Sequence, residues 1–355
     1  MLWAKAQLEA PARYNLAASG MTPPDRAALG LDLDALDLDH RAPDMPAEPR
    51  RRLAARFGVG EARILLTLGT SHAMFLACAS ALRPGERCLV ERPAYEMLPR
   101  LPELLGARVG RIDRRLETGW RLPPDLPARI RRERPRMVLV SNPHNPSGAV
   151  LPLEELEPVA RAVTAVRGWL LVDEVYLEYL PDAPARSAAR LGGNVAVASS
   201  LTKALGLGTA RFGWLIAPEE QIEAAVRYND YVSVLYPAPS AWIGLAALER
   251  LGALRARALE TRAQNLPLLA RFVEDHAARL SWAPPAATVM AFVRLRGARD
   301  TLAFVERLRR DHHTLVVPGR FFEAPGFVRI GFGIPTPKLR AGLARLARAL
   351  ARPHR

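Results

Sequence analysis

Lysine is almost absent from this chain. It occurs at Lys5, Lys203 and Lys338, so 47 of the 50 basic residues are arginine. Chemistry that needs a side-chain amine therefore has three candidates. Cysteine is scarcer still: Cys78 and Cys88 alone exclude a disulfide framework and a multi-cysteine zinc site. No uninterrupted apolar run approaches a membrane span. The opening stretch, MLWAKAQLEAPARYNL, has no apolar segment followed by a small-residue cleavage site, so no signal peptide is expected. Acidic residues number 36, which leaves a net charge of +14. Such an excess would suit a nucleic-acid partner. However, the arginines are scattered through Ala-, Leu- and Pro-rich sequence with no binding motif, as a preference for GC-rich codons would produce. The expectation is a soluble cytoplasmic protein without nucleic-acid or membrane partners.

What is present is an ordinary globular composition, 49% hydrophobic and 24% charged, over 355 residues. That length suggests about two domains and a sizeable core. The segment from Leu16 to Pro49 is rich in Asp and Pro and reads as an extended arm or loop. Short apolar runs then alternate with helical patterns. Ile64–Leu68, Cys88–Val90, Met137–Ser141, Trp169–Val172 and Val195–Ala198 read as buried strands. Thr70–Leu82 and Leu153–Val166 read as helices between them. Continuous apolar strands separated by helices imply a mostly parallel sheet covered on both faces. Ala241–His276 reads as a long amphipathic helical stretch with a break near Asn265-Leu266-Pro267. Beyond it, Ala291–Leu295 and Val328–Phe332 read as strands, and Thr301–Arg309 and Lys338–Ala351 as helices. That tail suggests a smaller α+β unit.

Four segments carry candidate chemistry. Ser199-Ser200-Leu201-Thr202-Lys203 places a lysine just after a buried strand, where desolvation lowers its pKa and frees a nucleophilic amine. Ser200 and Arg211 on either side suit a phosphate dianion. The plainer reading is a surface Ser-Lys turn. Gly69-Thr70-Ser71 lies at a strand-to-helix junction, where free amides can cradle a phosphate or simply be capped. Asn142-Pro143-His144-Asn145-Pro146-Ser147-Gly148 and Asp173-Glu174-Val175-Tyr176 both follow buried strands, where ligands bind in open α/β sheets. A turn and a helix cap are the plain alternatives. His312-His313 has no third ligand, and no metal site is expected. Cys78 and Cys88 read as buried filler, and the arginine cluster at 131–136 as a solvated face.

In order and spacing, GTS at 69–71, ERPAY at 91–95, NPHNPSG at 142–148, DEVY at 173–176, SSLTK at 199–203, RFGW at 211–214 and VRIGFG at 328–333 resemble the fold-type-I pyridoxal-phosphate enzymes, specifically the class I/II aminotransferases. The resemblance covers about residues 60–335. It implies an aspartate-aminotransferase-like α/β fold, with an arm at 1–45, a large pyridoxal 5'-phosphate-binding domain at 46–271 and a small domain at 272–355. It implies transfer of an α-amino group between an amino acid and a 2-oxo acid, and a homodimer. Lys203 resembles the residue that forms the internal aldimine and then carries the proton. Asp173 resembles the partner of the pyridine nitrogen. Asn145 and Tyr176 resemble donors to the phenolic oxygen, and Tyr95 the aromatic plate stacked on the ring. Gly69, Thr70 and Ser71, with Ser200 and Arg211, resemble the phosphate site. Arg329, with Asn145 beside it, resembles the clamp on the substrate α-carboxylate. Lys203, Asp173 and Tyr176 are thus implied in the chemistry. A related lyase, decarboxylase or cyclase shares these motifs, as does a non-catalytic cofactor-binding module. The N-terminal region departs from the family: Leu38-Asp39-His40-Arg41 lacks the Tyr that reaches the neighbouring subunit's phosphate, and His40 is a candidate substitute. The loop from Asn15 to Gly20 is a candidate lining of the substrate entrance.

Overall fold

The structure is a computed structural model that describes Trp3, residues 12–31, Leu36 and residues 47–351. The stretch Leu38–Arg41, including His40, lies outside the described residues. Thirteen described strands form three sheets. They are β1 (Tyr14–Asn15), β2 (Ile64–Leu68), β3 (Arg87–Arg92), β4 (Arg108–Asp113), β5 (Met137–Ser141), β6 (Trp169–Asp173), β7 (Val195–Ser200), β8 (Phe212–Ile216), β9 (Leu280–Ser281), β10 (Met290–Leu295), β11 (Thr314–Leu315), β12 (Val317–Pro318) and β13 (Phe327–Gly331).

The main sheet runs in the order β2-β8-β7-β6-β5-β3-β4. Its pairs from β7 through β4 are parallel, and β8 runs antiparallel to both of its neighbours. Every residue of β5, β6, β7 and β8 is buried. Helices cover both faces, and so these strands are continuously apolar rather than alternating. The helix Thr70–Ala81 is apolar nearly all round and lies within the core. Cys78 and Cys88 are free and buried there, and burial pushes the Cys78 thiol up to about 12.

A second sheet, β12-β13-β10-β9, is antiparallel. The helix Leu302–His312 follows β10 and the helix Thr336–Ala351 follows β13 in sequence. Within the segment read as an extended arm or loop, a short helix spans Arg26–Leu29, and just before that segment β1 pairs in parallel with β11. The long helical stretch breaks at Arg250, not near Pro267: the helices are Ala238–Glu249 and Leu251–Asp275. Pro267 sits inside the second. Its neighbour Asn265 is fully buried and donates to the carbonyls of Phe332 at 2.8 Å and Ile334 at 2.7 Å. Tertiary contacts thus keep helical a turn that local preference would break. No described helix is long and apolar enough to cross a membrane.

Candidate active site

Three parallel strands deliver the central side chains from their carboxyl ends, where an open α/β sheet leaves a crevice. Asp173 is the last residue of β6, Lys203 follows β7, and the loop 142–148 follows β5. That loop is braced rather than loose. Asn142 Nδ2 donates to Leu151 O, and Leu151 N–H donates back to Asn142 Oδ1, both at 2.9 Å. Gly148 closes the turn at φ +73°. A Cβ there would lie 2.5 Å from Pro285 Cβ, so only glycine lets the loop pack against 285–288.

The Lys203 side chain keeps part of its surface in the cleft but is otherwise enclosed. Burial, with Arg329 and Arg211 nearby, lowers its amine to about 8; Asp173 acts in the opposite direction. Asp173 is buried and accepts from Val175 N–H at 3.0 Å. Burial raises its carboxyl to about 7, helped by the like charge of Glu91 and opposed by the Val175 amide and Lys203. One amide is thin solvation for a buried carboxylate, and the site suits a cationic partner such as a protonated ring nitrogen. Tyr176 is fully buried and its hydroxyl has no well-formed hydrogen bond, although Ser19 lies close by. Tyr95 is half-buried against the same cleft, and burial raises its phenol.

The residues expected to hold a phosphate come together at the N-terminus of the helix Thr70–Ala81, whose first amides have no partner within the helix. Thr70 Oγ1 donates to Ser200 Oγ at 2.9 Å, which ties the two segments together. Gly69 has φ +80°, and a Cβ there would approach Arg211 Nη2 to 2.7 Å. The Arg211 guanidinium also donates to Leu68 O. Ser71, at the same helix start, is half-buried. A donor-rich cup with a glycine floor fits a phosphate monoester.

Arg329 reaches the cleft from β13 in the second sheet. It is buried and donates to Asn145 Oδ1 at 3.2 Å and to Ala17 O at 2.9 Å, with its guanidinium 5.0 Å from the Phe322 ring centre. Its Nε has no partner. Residues 16–22 strap this region to the lysine loop. Gly331 N–H donates to Leu16 O at 2.7 Å, and Met21 N–H to Lys203 O at 2.8 Å. The N-terminal loop therefore borders the cleft, as its glycine-containing sequence suggests. Lys203 thus lies within electrostatic reach of Asp173, Arg211 and Arg329, and Tyr95 of Asp173 and Arg329, with Asn145 bonded to Arg329, Gly69 beside Arg211 and Ser200 bonded to Thr70.

Sequence reasoning missed the polar layer beneath it. Glu91 and Arg114 form a fully buried ion pair at 2.7 Å. Glu91 also accepts from the Ser141 amide at 2.7 Å and from the Ser141 hydroxyl. His144, which had no assigned role, is fully buried between Ser147 Oγ at 2.6 Å and Pro93 O at 2.8 Å. Burial and the nearby Arg114 push its pKa well down, so the imidazole is neutral. Ser141 was visible as the last residue of a strand before the Asn-Pro run. Nothing in the sequence pointed to Arg114.

A lysine, a buried carboxylate and a second-sheet arginine thus stand within electrostatic reach of one another. The family model for aminotransferase class I and II matches residues 15–346. Capreomycidine synthase of Streptomyces vinaceus is 30% identical over 352 residues, 98% of this chain and 90% of that protein. A pyridoxal-phosphate-dependent aminotransferase from Streptococcus suis superposes with a TM-score of 0.87 at 25% identity, covering 100% of this chain and 97% of that one. The pyridoxal-phosphate-dependent cyclase OrfR superposes with a TM-score of 0.88 at 27% identity, covering 99% and 96%. The chain belongs to the class I and II aminotransferase family. It is an enzyme of that kind, with an aspartate-aminotransferase-like fold and pyridoxal 5'-phosphate as cofactor.

Proposed function

We propose that this cleft binds an α-amino acid by its carboxylate, at Arg329, and passes its amino group to a 2-oxo acid through the cofactor at Lys203. The observation that carries this reading is the convergence of Lys203, Asp173 and Arg329, drawn from separate elements, within electrostatic reach of one another. When bound, the cofactor supplies an aldehyde and an electron-withdrawing ring. Gly69, Thr70, Ser71, Ser200 and Arg211 would hold its phosphate. Asp173 would keep the ring nitrogen protonated, Tyr95 would pack on the ring, and Asn145 and Tyr176 would serve its phenolic oxygen. Lys203, with an amine lowered to about 8, is a base of suitable strength to move the proton at the substrate Cα. Arg329, steadied by Asn145 and the Ala17 carbonyl, would meet the carboxylate with its remaining N–H groups, Nε among them.

The proposed domains are an arm at 1–45, a large unit at 46–271 on the seven-stranded sheet and a small unit at 272–355 on the four-stranded sheet. The proposed assembly is a homodimer. Five of the seven large exposed hydrophobic side chains of the described residues, Tyr228, Tyr231, Val232, Val234 and Leu235, fall within eight residues. Such a patch suits a protein partner, and twofold pairing is the common solution. The unpaired Cys78 and Cys88 are consistent with a reducing compartment, the cytoplasm.

A second reading is intramolecular ring closure of an amino acid, favoured by the likeness to capreomycidine synthase and to OrfR. A half-reaction screen separates the two. Single amino acids are added to purified holoenzyme, and the cofactor band and the products are followed. Transamination leaves the cofactor in its amino form with one equivalent of 2-oxo acid. Ring closure returns the original band and yields no 2-oxo acid.

A further inference from the structure

Beneath the cleft, one hydrogen-bonded chain runs from a buried ion pair to the carboxylate clamp. Arg114 Nη1 donates to Glu91 Oε2 at 2.7 Å, and both side chains are sealed from solvent. Glu91 Oε1 accepts the Ser141 hydroxyl. That hydroxyl accepts from Asn145 N–H at 3.1 Å, and Asn145 Oδ1 accepts from Arg329 Nη1 at 3.2 Å. Each link has its donor and acceptor senses fixed. Both Glu91 oxygens face obligate donors, the Arg114 guanidinium and the Ser141 amide, so the carboxylate accepts the serine proton as well, and the serine lone pair is left for Asn145 N–H. Arg114 is anchored in turn by Trp120 O and Ser141 O.

We propose that Ser141, held by the Glu91–Arg114 pair, is a positioning residue that fixes Asn145 and through it the guanidinium of Arg329. This rests on the reading of Arg329 as the carboxylate clamp. A buried ion pair is a poor stabiliser but a good orienter, because every alternative rotamer leaves a charge unpaired. It gives the loop after β5 a fixed foundation, while Arg329 comes from another sheet and needs a partner in the cleft.

The readout is the pH midpoint of the absorption band of the cofactor attached to Lys203, in holoenzyme without substrate. The charged groups around that nitrogen are Arg329, Arg211 and Asp173. Arg329 disfavours a proton there, so loosening it moves the midpoint up. Ser141→Ala should raise the midpoint by roughly half a pH unit, as expected for a charge moved slightly away. Asn145→Ala should raise it too, and the double variant no further than Asn145→Ala alone. Glu91→Asp keeps the charge opposite Arg114 but shortens its reach to Ser141, and should shift it in the same sense. The affinity of apoenzyme for inorganic phosphate, read by tryptophan fluorescence, should be unchanged in Ser141→Ala, because the residues around Thr70 and Ser200 lie outside this chain of bonds. A Ser141→Ala variant that melts earlier with an unmoved midpoint would overturn the proposal, as would additive shifts with Asn145→Ala. If Arg329→Gln also leaves the midpoint in place, the clamp reading itself fails. If Arg329→Gln moves it and Ser141→Ala does not, the relay alone fails.

Discussion

Asp173 is held in a position that harms the apoenzyme. It ends a strand buried on both faces, beside a second carboxylate, Glu91, and burial raises its carboxyl from 3.8 to about 7. The folded state therefore holds this proton at pH values where the unfolded chain has released it. Stability from this group is present at low pH and is lost as pH rises from about 4 to 7. Between pH 5 and pH 8 the loss amounts to about 3 kcal/mol. Asp173→Asn keeps an oxygen for the Val175 amide and removes the titration. Apoenzyme carrying Asp173→Asn should thus gain on wild-type apoenzyme between pH 5 and pH 8. For a chain of this size that is roughly 4 °C in melting temperature. With cofactor bound the order should reverse, because a protonated ring nitrogen pairs with the aspartate and not with the amide. Transamination should fall by ~10²-fold or more, as when a preorganised electrostatic partner is removed. Differential scanning fluorimetry of apo and holo protein at the two pH values, with steady-state rates, reads both effects. A melting difference that is the same at both pH values would refute the burial argument. A nearly normal rate would make Asp173 a plain turn residue.

Arg329→Lys should leave the cofactor bound but lower kcat/KM for the amino acid by about 2–4 kcal/mol, since a lysine cannot reproduce two parallel donors. Normal kinetics in a less stable variant would reduce Arg329 to a strand residue. In solution, light scattering should give twice the 39.0 kDa chain mass. Tyr231→Asp with Leu235→Asp should yield monomers of low activity; a fully active wild-type monomer would remove the dimer from the account.

The main sheet was legible where strands are buried on both faces: Met137–Ser141 needs no context to be read as one. β4, Arg-Val-Gly-Arg-Ile-Asp at the sheet edge, has too little apolar run to stand out. β8 was hidden inside a motif read for its chemistry, and its antiparallel sense comes from pairing that spacing cannot express. The cleft residues were legible because they sit in short, ordered segments. The layer beneath them was not. Glu91 and Arg114 are 23 positions apart, and their pairing depends on the register of β3 with β4 and on the chain beyond it. His144 lay inside a recognised segment, yet its buried place between Pro93 and Ser147 depends on a segment 51 residues upstream closing over it.

Covalent attachment of the cofactor at Lys203 is the central claim. Borohydride reduction of purified, cofactor-saturated protein followed by peptide mapping tests it directly, because the chain offers three lysines. The account predicts a single stable tag on the peptide containing Lys203. A tag on Lys5 or Lys338, or none at all, would contradict it.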